Sequence, residues 1–293
     1  MDRINVIARA KVNLSLEVKG KRDDGYHLLS MVMQSIELHD TISIEKNTCK
    51  NIIITSNSNN IPCDERNIAY KAANLFNKEL GLDTGYNIFI QKNIPSEAGM
   101  GGGSADASGV LLALNKFNDD IFPIKKLMEM GLELGADVPF CIVGGTKLAE
   151  GIGEEFTELK NVDMKLLIVK PKSSISTAQA FKKLKLDNIT NNPDTNKLVE
   201  AINKDDKESI YKYMNNALYD SSLEFAPEMD DIIRIMNEFG SRRAMMTGSG
   251  STVFGIFEDD EALKKAYEYF LNIYKDVYIT KTTNEAITLE IMN

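Results

Sequence analysis

PSEAGMGGGSADASG, residues 95–109, decides how the rest of the chain is read. Gly99, Gly101, Gly102 and Gly103 leave a backbone free to take positive φ with no Cβ in the way, so several N–H groups can converge on one anion. Immediately downstream, Ala107, Leu111, Leu114 and Phe117 recur at a helical period, with Ser104 in the N-cap position and Asp106 in the first turn. Upstream, YNIFIQ at 86–91 is rich in aromatic and β-branched residues and reads as a strand. Strand, glycine loop and helix in that order aim unpaired N–H groups and the positive end of a helix dipole at the loop, an arrangement that binds phosphate. A flexible connection is the plain alternative for a glycine-rich run taken alone. Neither common phosphate motif is present: G-x-x-x-x-G-K-[ST] is absent, and Ser104 stands where the dinucleotide fingerprint has its last glycine.

The chain has 293 residues, 43% hydrophobic and 26% charged, enough for two modest domains with a substantial core. Its net charge of −9 disfavours nucleic acid and anionic membrane as partners, so a site for a phosphorylated ligand must be positive only locally. No run of about 18 apolar residues occurs, and MDRINVIARA lacks the basic start and apolar core of a signal peptide, so a cytoplasmic location is expected. Cys49, Cys63 and Cys141 stand far apart, and only two histidines accompany them. That argues against a zinc site and a disulfide framework, and predicts three reduced, buried thiols.

The segment INVIARAKVNLSLEVKG (4–20) reads as two consecutive strands whose polar face carries Lys11 and Asn13. LLSMVMQSIELHD, TISIEK and NIIITS add three short strands, and ERNIAYKAANLFNKELG (65–81) is an amphipathic helix ended by Gly81. After the glycine loop come a helix at 124–135, a strand in PFCIVG (139–144) and glycine turns up to residue 153. The second half reads as strand MKLLIVKP, helix STAQAFKKLK, a turn-rich loop from 186, and a helix pair over 196–220. A helix after Pro227, the strand–turn–strand RRAMMTGSGSTVFGIFED, a helix from 259 and a last strand VYITK complete it. There is no internal repeat. Strands and helices mixed without regular βαβ alternation predict an α+β fold, with domains at 1–155 and 156–293.

The pattern PxxxGxGGGS(S/A)DA resembles the ATP-binding motif of the GHMP kinase superfamily, AKVNLSLEV (10–18) resembles its first motif, and MTGSGSTVFG (246–255) its third. The resemblance implies a ribosomal-S5-like N-terminal domain carrying the nucleotide loop and a ferredoxin-like C-terminal domain. Within the superfamily, GKRDDGYH, ERNIAYKAA, GADVPF and GGTKLAEGIGE are similar to the branch of the non-mevalonate isoprenoid pathway whose small-molecule acceptor carries a cytidine diphosphate group.

What the resemblance implies for individual residues follows its motifs. ATP and Mg2+ are the expected cofactors. Asn67, Lys92, Pro95, Ser96, Glu97, Ala98, Gly99, Met100, Gly101, Gly102, Gly103, Ser104 and Ala105 would form the ATP site. Asp137 would accept the proton of the acceptor hydroxyl, and Lys11 would polarise that hydroxyl. Asn13, Tyr26, His27, Thr177 and Phe181 would bind the acceptor, with Tyr26 and Phe181 stacking on the cytosine and His27 on its edge. Each has a bland alternative: a solvated strand face for Lys11 and Asn13, a turn-capping carboxylate for Asp137, a solvated lysine for Lys92, a core aromatic for Phe181. Arg9 replaces a usual proline, Ala105 replaces the common second serine, and NALYD (216–220) follows its motif only in part. Ser104 therefore takes the phosphate or magnesium contact, and no protein ligand to magnesium is assigned. The rival readings are another superfamily member and a catalytically silent nucleotide-binding scaffold.

Overall fold

Alternating apolar residues at Ile4, Val6 and Ala8 start a strand in which both faces become buried from Ala10 to Val18. A computed structural model describes residues 3–21, 27–185 and 189–292. In it β1 (Arg3–Lys21) and β2 (His27–Asn47) are two continuous antiparallel strands, where the sequence suggested several short ones. No glycine or proline interrupts β2. The irregularity goes instead into register shifts between Arg9 and Lys11, Asn13 and Ser15, and Val18 and Gly20.

β3 (Ile52–Ser56) is followed by α1 (Ile68–Leu80), whose N-cap Asn67 accepts a hydrogen bond from the Ala69 N–H and whose end is set by Gly81 in the left-handed conformation. β4 (Gly85–Gln91) pairs antiparallel with β2 and parallel with β3. The glycine loop then leads into α2 (Gly102–Phe117), whose Ala107, Leu111 and Leu114 have no exposed surface. Each leucine so buried stabilises the fold by roughly 1.5–3 kcal/mol. At Gly109 the helix lies so close to the sheet that a Cβ would sit 2.8 Å from Val6 Cγ1.

α3 (Ile124–Leu134) follows as expected. PFCIVG is not a strand: α4 (Val138–Val143) occupies it, with Pro139 in its first turn, where a missing N–H costs nothing. A short apolar run has no period that separates strand from helix. β5 (Thr146–Glu150) and β6 (Glu155–Glu158) close this half, β5 on β2 and β6 on β5.

The second half contains β7 (Lys165–Lys170), α5 (Thr177–Lys183), α6 (Thr195–Lys204), α7 (Lys207–Tyr213), β8 (Asn215–Asn216), α8 (Tyr219–Leu223) and α9 (Glu228–Glu238). β9 (Arg243–Met246), β10 (Val253–Phe257), α10 (Asp260–Leu271) and β11 (Asp276–Lys281) follow. Their four-stranded antiparallel sheet has the order β11-β7-β10-β9, the order of a ferredoxin-like sheet. A strand missed in the sequence, β12 (Ile287–Met292), returns to pair with β1, from Arg3 opposite Met292 to Ala8 opposite Ile287. Its residues are half-buried or exposed, so its apolar alternation is weak. Among the described strands, pairing thus crosses residue 155 three times, through β6, β8 and β12. The architecture is the expected α+β, two sheets with helices.

Candidate active site

The glycine loop and the third motif meet backbone to backbone. A Cβ on Gly99, at φ 69°, would lie 2.4 Å from the Thr247 carbonyl oxygen, and one on Gly248 would lie 2.6 Å from the Gly99 carbonyl oxygen. Only glycine tolerates that contact and that φ together. The Thr247 hydroxyl accepts from the Asn13 N–H at 2.9 Å, and the Asn216 side-chain amide donates to the carbonyls of Met246 (3.1 Å) and Gly248 (2.8 Å). Asn216, in the segment that follows its motif only in part, therefore ties the third motif to β8, which pairs with β1 of the larger sheet.

Helix α2 begins at Gly102, after Gly101 in the left-handed conformation with φ 68°. Ser104 is not the N-cap but the third helical residue, because a glycine able to take positive φ ends the loop three residues earlier than the Ser104 cap would. Ala105 is fully buried in the first turn and does not reach the cavity beside the loop. Pro95 to Ser104 do line it.

That cavity, about 1050 Å3, is walled by both halves of the chain and also receives Lys11, Asn13, His27, Asn67, Lys92, Asp137, Thr177 and Phe181. Tyr26 lies outside the described residues. Lys11 is buried in β1, with its N–H donating to the Met100 carbonyl at 3.1 Å. Its ammonium donates to Asn13 Oδ1 at 2.8 Å and lies 3.4 Å from Asp137 Oδ2. Asp137 immediately precedes α4, yet its side chain makes no capping hydrogen bond. Lys11 and Asn13 are thus a buried pair, not a solvated face. Beside them, burial pushes the Cys141 thiol well above its usual range, with Asp137 adding to the rise and Lys11 opposing it. Cys49 and Cys63, expected to be buried, are exposed, because both lie in irregular segments outside the core.

Lys92 is not solvated either. Its ammonium is gripped by Asp40 on β2 and by Asp106 Oδ2 on α2 at 2.8 Å, with all three side chains at most 6% exposed. Burial pulls the Lys92 ammonium down, but Asp106 and Asp40 together outweigh it and raise its pKa. Burial pushes the Asp106 carboxyl up, and its Oδ1 has no hydrogen-bond partner. Asn67 is occupied by its own backbone: it caps α1 and donates to the Pro62 carbonyl at 2.6 Å.

Across the cavity, the Thr177 hydroxyl lies 3.1 Å from that of Ser249, and Ser176 closes a capping box on α5. Phe181 is half-buried and stacks on His27, ring centroids 4.9 Å apart and planes 27° from parallel. Burial, with the Lys21 charge adding, holds the His27 imidazole below its usual value, so the ring is neutral at pH 7.

With this geometry in view, the comparisons agree. The model of the GHMP kinases N terminal domain matches residues 67–145 and that of the GHMP kinases C terminal domain residues 198–276. A 4-diphosphocytidyl-2-C-methyl-D-erythritol kinase of Clostridium botulinum is 45% identical over 280 residues, covering 95% of this chain and 100% of that protein. The chain belongs to the 4-diphosphocytidyl-2-C-methyl-D-erythritol kinases of the GHMP superfamily. A second relative of that description, from Clostridium perfringens, is 44% identical over 94% of this chain and 97% of its own length. A crystal structure of a 4-(cytidine 5'-diphospho)-2C-methyl-D-erythritol kinase superposes with a TM-score of 0.80 at 28% identity, covering 95% of this chain and 98% of that one. A homoserine kinase from Cytophaga hutchinsonii superposes with a TM-score of 0.81 at 20% identity, covering 99% and 98% of the two chains, a likeness of fold.

Four residues of this kinase's cavity region escaped the sequence reading. Asp40 sits among Glu37, His39 and Thr41 in β2, where nothing local sets it apart from an exposed strand residue. Asp106 is visible as a carboxylate next to the loop. Thr247 and Ser249 lie within the third motif, whose resemblance was the available signal.

Proposed function

We propose that this kinase transfers the γ-phosphoryl group of ATP to the 2-hydroxyl of 4-diphosphocytidyl-2-C-methyl-D-erythritol, in the cytoplasm and with Mg2+. The observation that carries the reading is the Lys11–Asp137 pair, 3.4 Å apart, on the wall of the same cavity that the glycine loop lines. Transfer proceeds through a loose transition state, so the protein mainly positions the partners and stabilises charge. The loop N–H groups and the N-terminus of α2 hold the phosphates, and Lys92 adds a fixed positive charge beneath them. Asp137, a third exposed, accepts the hydroxyl proton, while Lys11, 3.4 Å away, leans on the acceptor oxygen.

Magnesium suits what is present. It takes oxygen ligands in an octahedron and is held by one or two protein oxygens plus substrate phosphates, so the absence of a three-residue acidic or histidine cluster among the described residues is no obstacle. The orphaned Asp106 Oδ1 and the Ser104 hydroxyl would hold it. Bound there, the ion would neutralise charge on the β- and γ-phosphates.

For the acceptor, Phe181 offers a ring face and His27 an imidazole for the base edge. Their present separation leaves no room for a third ring between them, so His27 swings off Phe181 when the base stacks. Tyr26 is retained as the second stacking residue, with Asn13 and Thr177 as polar contacts. Coupled ADP release tests the reading: turnover is expected with diphosphocytidyl-methylerythritol and not with mevalonate or homoserine, and the reverse preference refutes it.

A further inference from the structure

Asp40 lies mid-strand in β2, opposite Ala8 of β1, with no exposed surface. A carboxylate so placed is costly unless every lone pair is used. Its Oδ1 accepts from the backbone N–H groups of Asn93 (2.6 Å) and Ile94 (2.9 Å), the two residues between Lys92 and Pro95. Its Oδ2 takes the Lys92 ammonium. One side chain therefore fixes both the backbone that leads into the glycine loop and the only cation within that stretch.

The ammonium is held from the other side by Asp106 Oδ2, on the first turns of α2. It lies 3.3 Å from where a Cβ on Gly102 would be, so the bare backbone of the first helical residue leaves it open to the cavity. A lysine has four rotatable bonds and loses its geometry readily unless clamped. We propose that Asp40 is a positioning residue for the nucleotide phosphates, acting through Lys92: it locks the ammonium under the loop and ties that ammonium to the backbone amides that lead into the loop. This deepens the phosphate-site reading and rests on it.

Asp40→Asn separates the two jobs. Its amide oxygen can still accept from the Asn93 and Ile94 N–H groups, while the charge facing Lys92 is lost. ATP titration by calorimetry into wild type, Asp40→Asn, Lys92→Met and the double variant, each of verified fold, is the test. Asp40→Asn should weaken ATP about tenfold and leave acceptor affinity within about twofold, the scale of one charge-assisted hydrogen bond. Because Asp40 acts through Lys92, adding Asp40→Asn to Lys92→Met should weaken ATP no further. Unchanged ATP affinity in Asp40→Asn, or an equal loss with and without Lys92, overturns the proposal. A wild type that fails to bind ATP removes the phosphate-site reading and this inference with it. Should Asp40→Asn not fold, 15Nζ-lysine NMR of the wild type decides. A slowly exchanging ammonium signal that vanishes in Lys92→Arg and shifts with ATP supports the clamp, and its absence contradicts it.

Discussion

The Lys11 ammonium on β1 lies 3.4 Å from the Asp137 carboxylate at the head of α4, with Asn13 Oδ1 2.8 Å away on its other side. The pair depends on long-range architecture: a register shift in β1 next to Lys11, and a helix start that leaves Asp137 without a capping bond. Asp137→Asn removes the proposed proton acceptor and keeps the shape. It should lower turnover by roughly two or more orders of magnitude, the scale of a positioned acid–base group, with ATP affinity nearly unchanged. Lys11→Met should also act mainly on turnover. Steady-state kinetics beside ATP calorimetry checks both, and near wild-type turnover in Asp137→Asn would reduce the carboxylate to a neighbour of the site.

A Cβ at Gly102 would meet Ile94 Cγ2 at 3.0 Å and the Lys92 ammonium at 3.3 Å, in the space proposed for the approach of phosphate to the backbone. Gly102→Val should abolish measurable ATP binding while the acceptor alone still binds. Calorimetry with each ligand separately reads this, and retained ATP affinity would move the phosphate site elsewhere.

Phe181→Ala removes one stacking face. A loss of about 1–3 kcal/mol in acceptor affinity is expected, as for aromatic–base stacking elsewhere, with ATP binding unaffected. His27→Ala should relax the preference for a cytidine over a uridine acceptor, since the edge contact distinguishes an amino group from a carbonyl. Titration of both acceptors into both variants decides, and unchanged values leave the two rings as mutual packing.

The neutral His27 carries a pH signature. Its value in the folded protein lies below the ordinary 6.5, through burial and the Lys21 charge, so the ring is uncharged at neutral pH. A neutral imidazole nitrogen can accept from the cytosine amino group and an imidazolium cannot. Acceptor affinity should therefore be flat from pH 7 upward and fall as pH drops below the ordinary histidine range. In His27→Gln that fall should be missing. A wild-type profile that stays flat through the acid range would dissociate His27 from the base.

Part of this was legible in order along the chain: the glycine loop and the Gly81 stop are local devices, and local chemistry is what sequence displays. Asp40 was not. Its partners Lys92, Asn93 and Ile94 lie across the β2–β4 pairing, and in sequence it is one acid after a histidine. PFCIVG became a helix because six apolar residues carry no period, and β12 was hidden because its half-exposed residues alternate weakly. The fusion of short strands into β2 was hidden for the opposite reason: its irregularity is taken up by register shifts against β1, and β2 itself holds no glycine or proline to mark them.

The central claim is that the Lys11–Asp137 site delivers phosphate to one hydroxyl of a cytidine-diphosphate acceptor. The most direct measurement is 31P and 13C NMR of the product formed from ATP and 4-diphosphocytidyl-2-C-methyl-D-erythritol by wild type and by Asp137→Asn. The account predicts a new phosphomonoester on the 2-hydroxyl in the wild-type reaction and little or none with Asp137→Asn at equal time. Phosphate on another position, or equal product from both proteins, would contradict it.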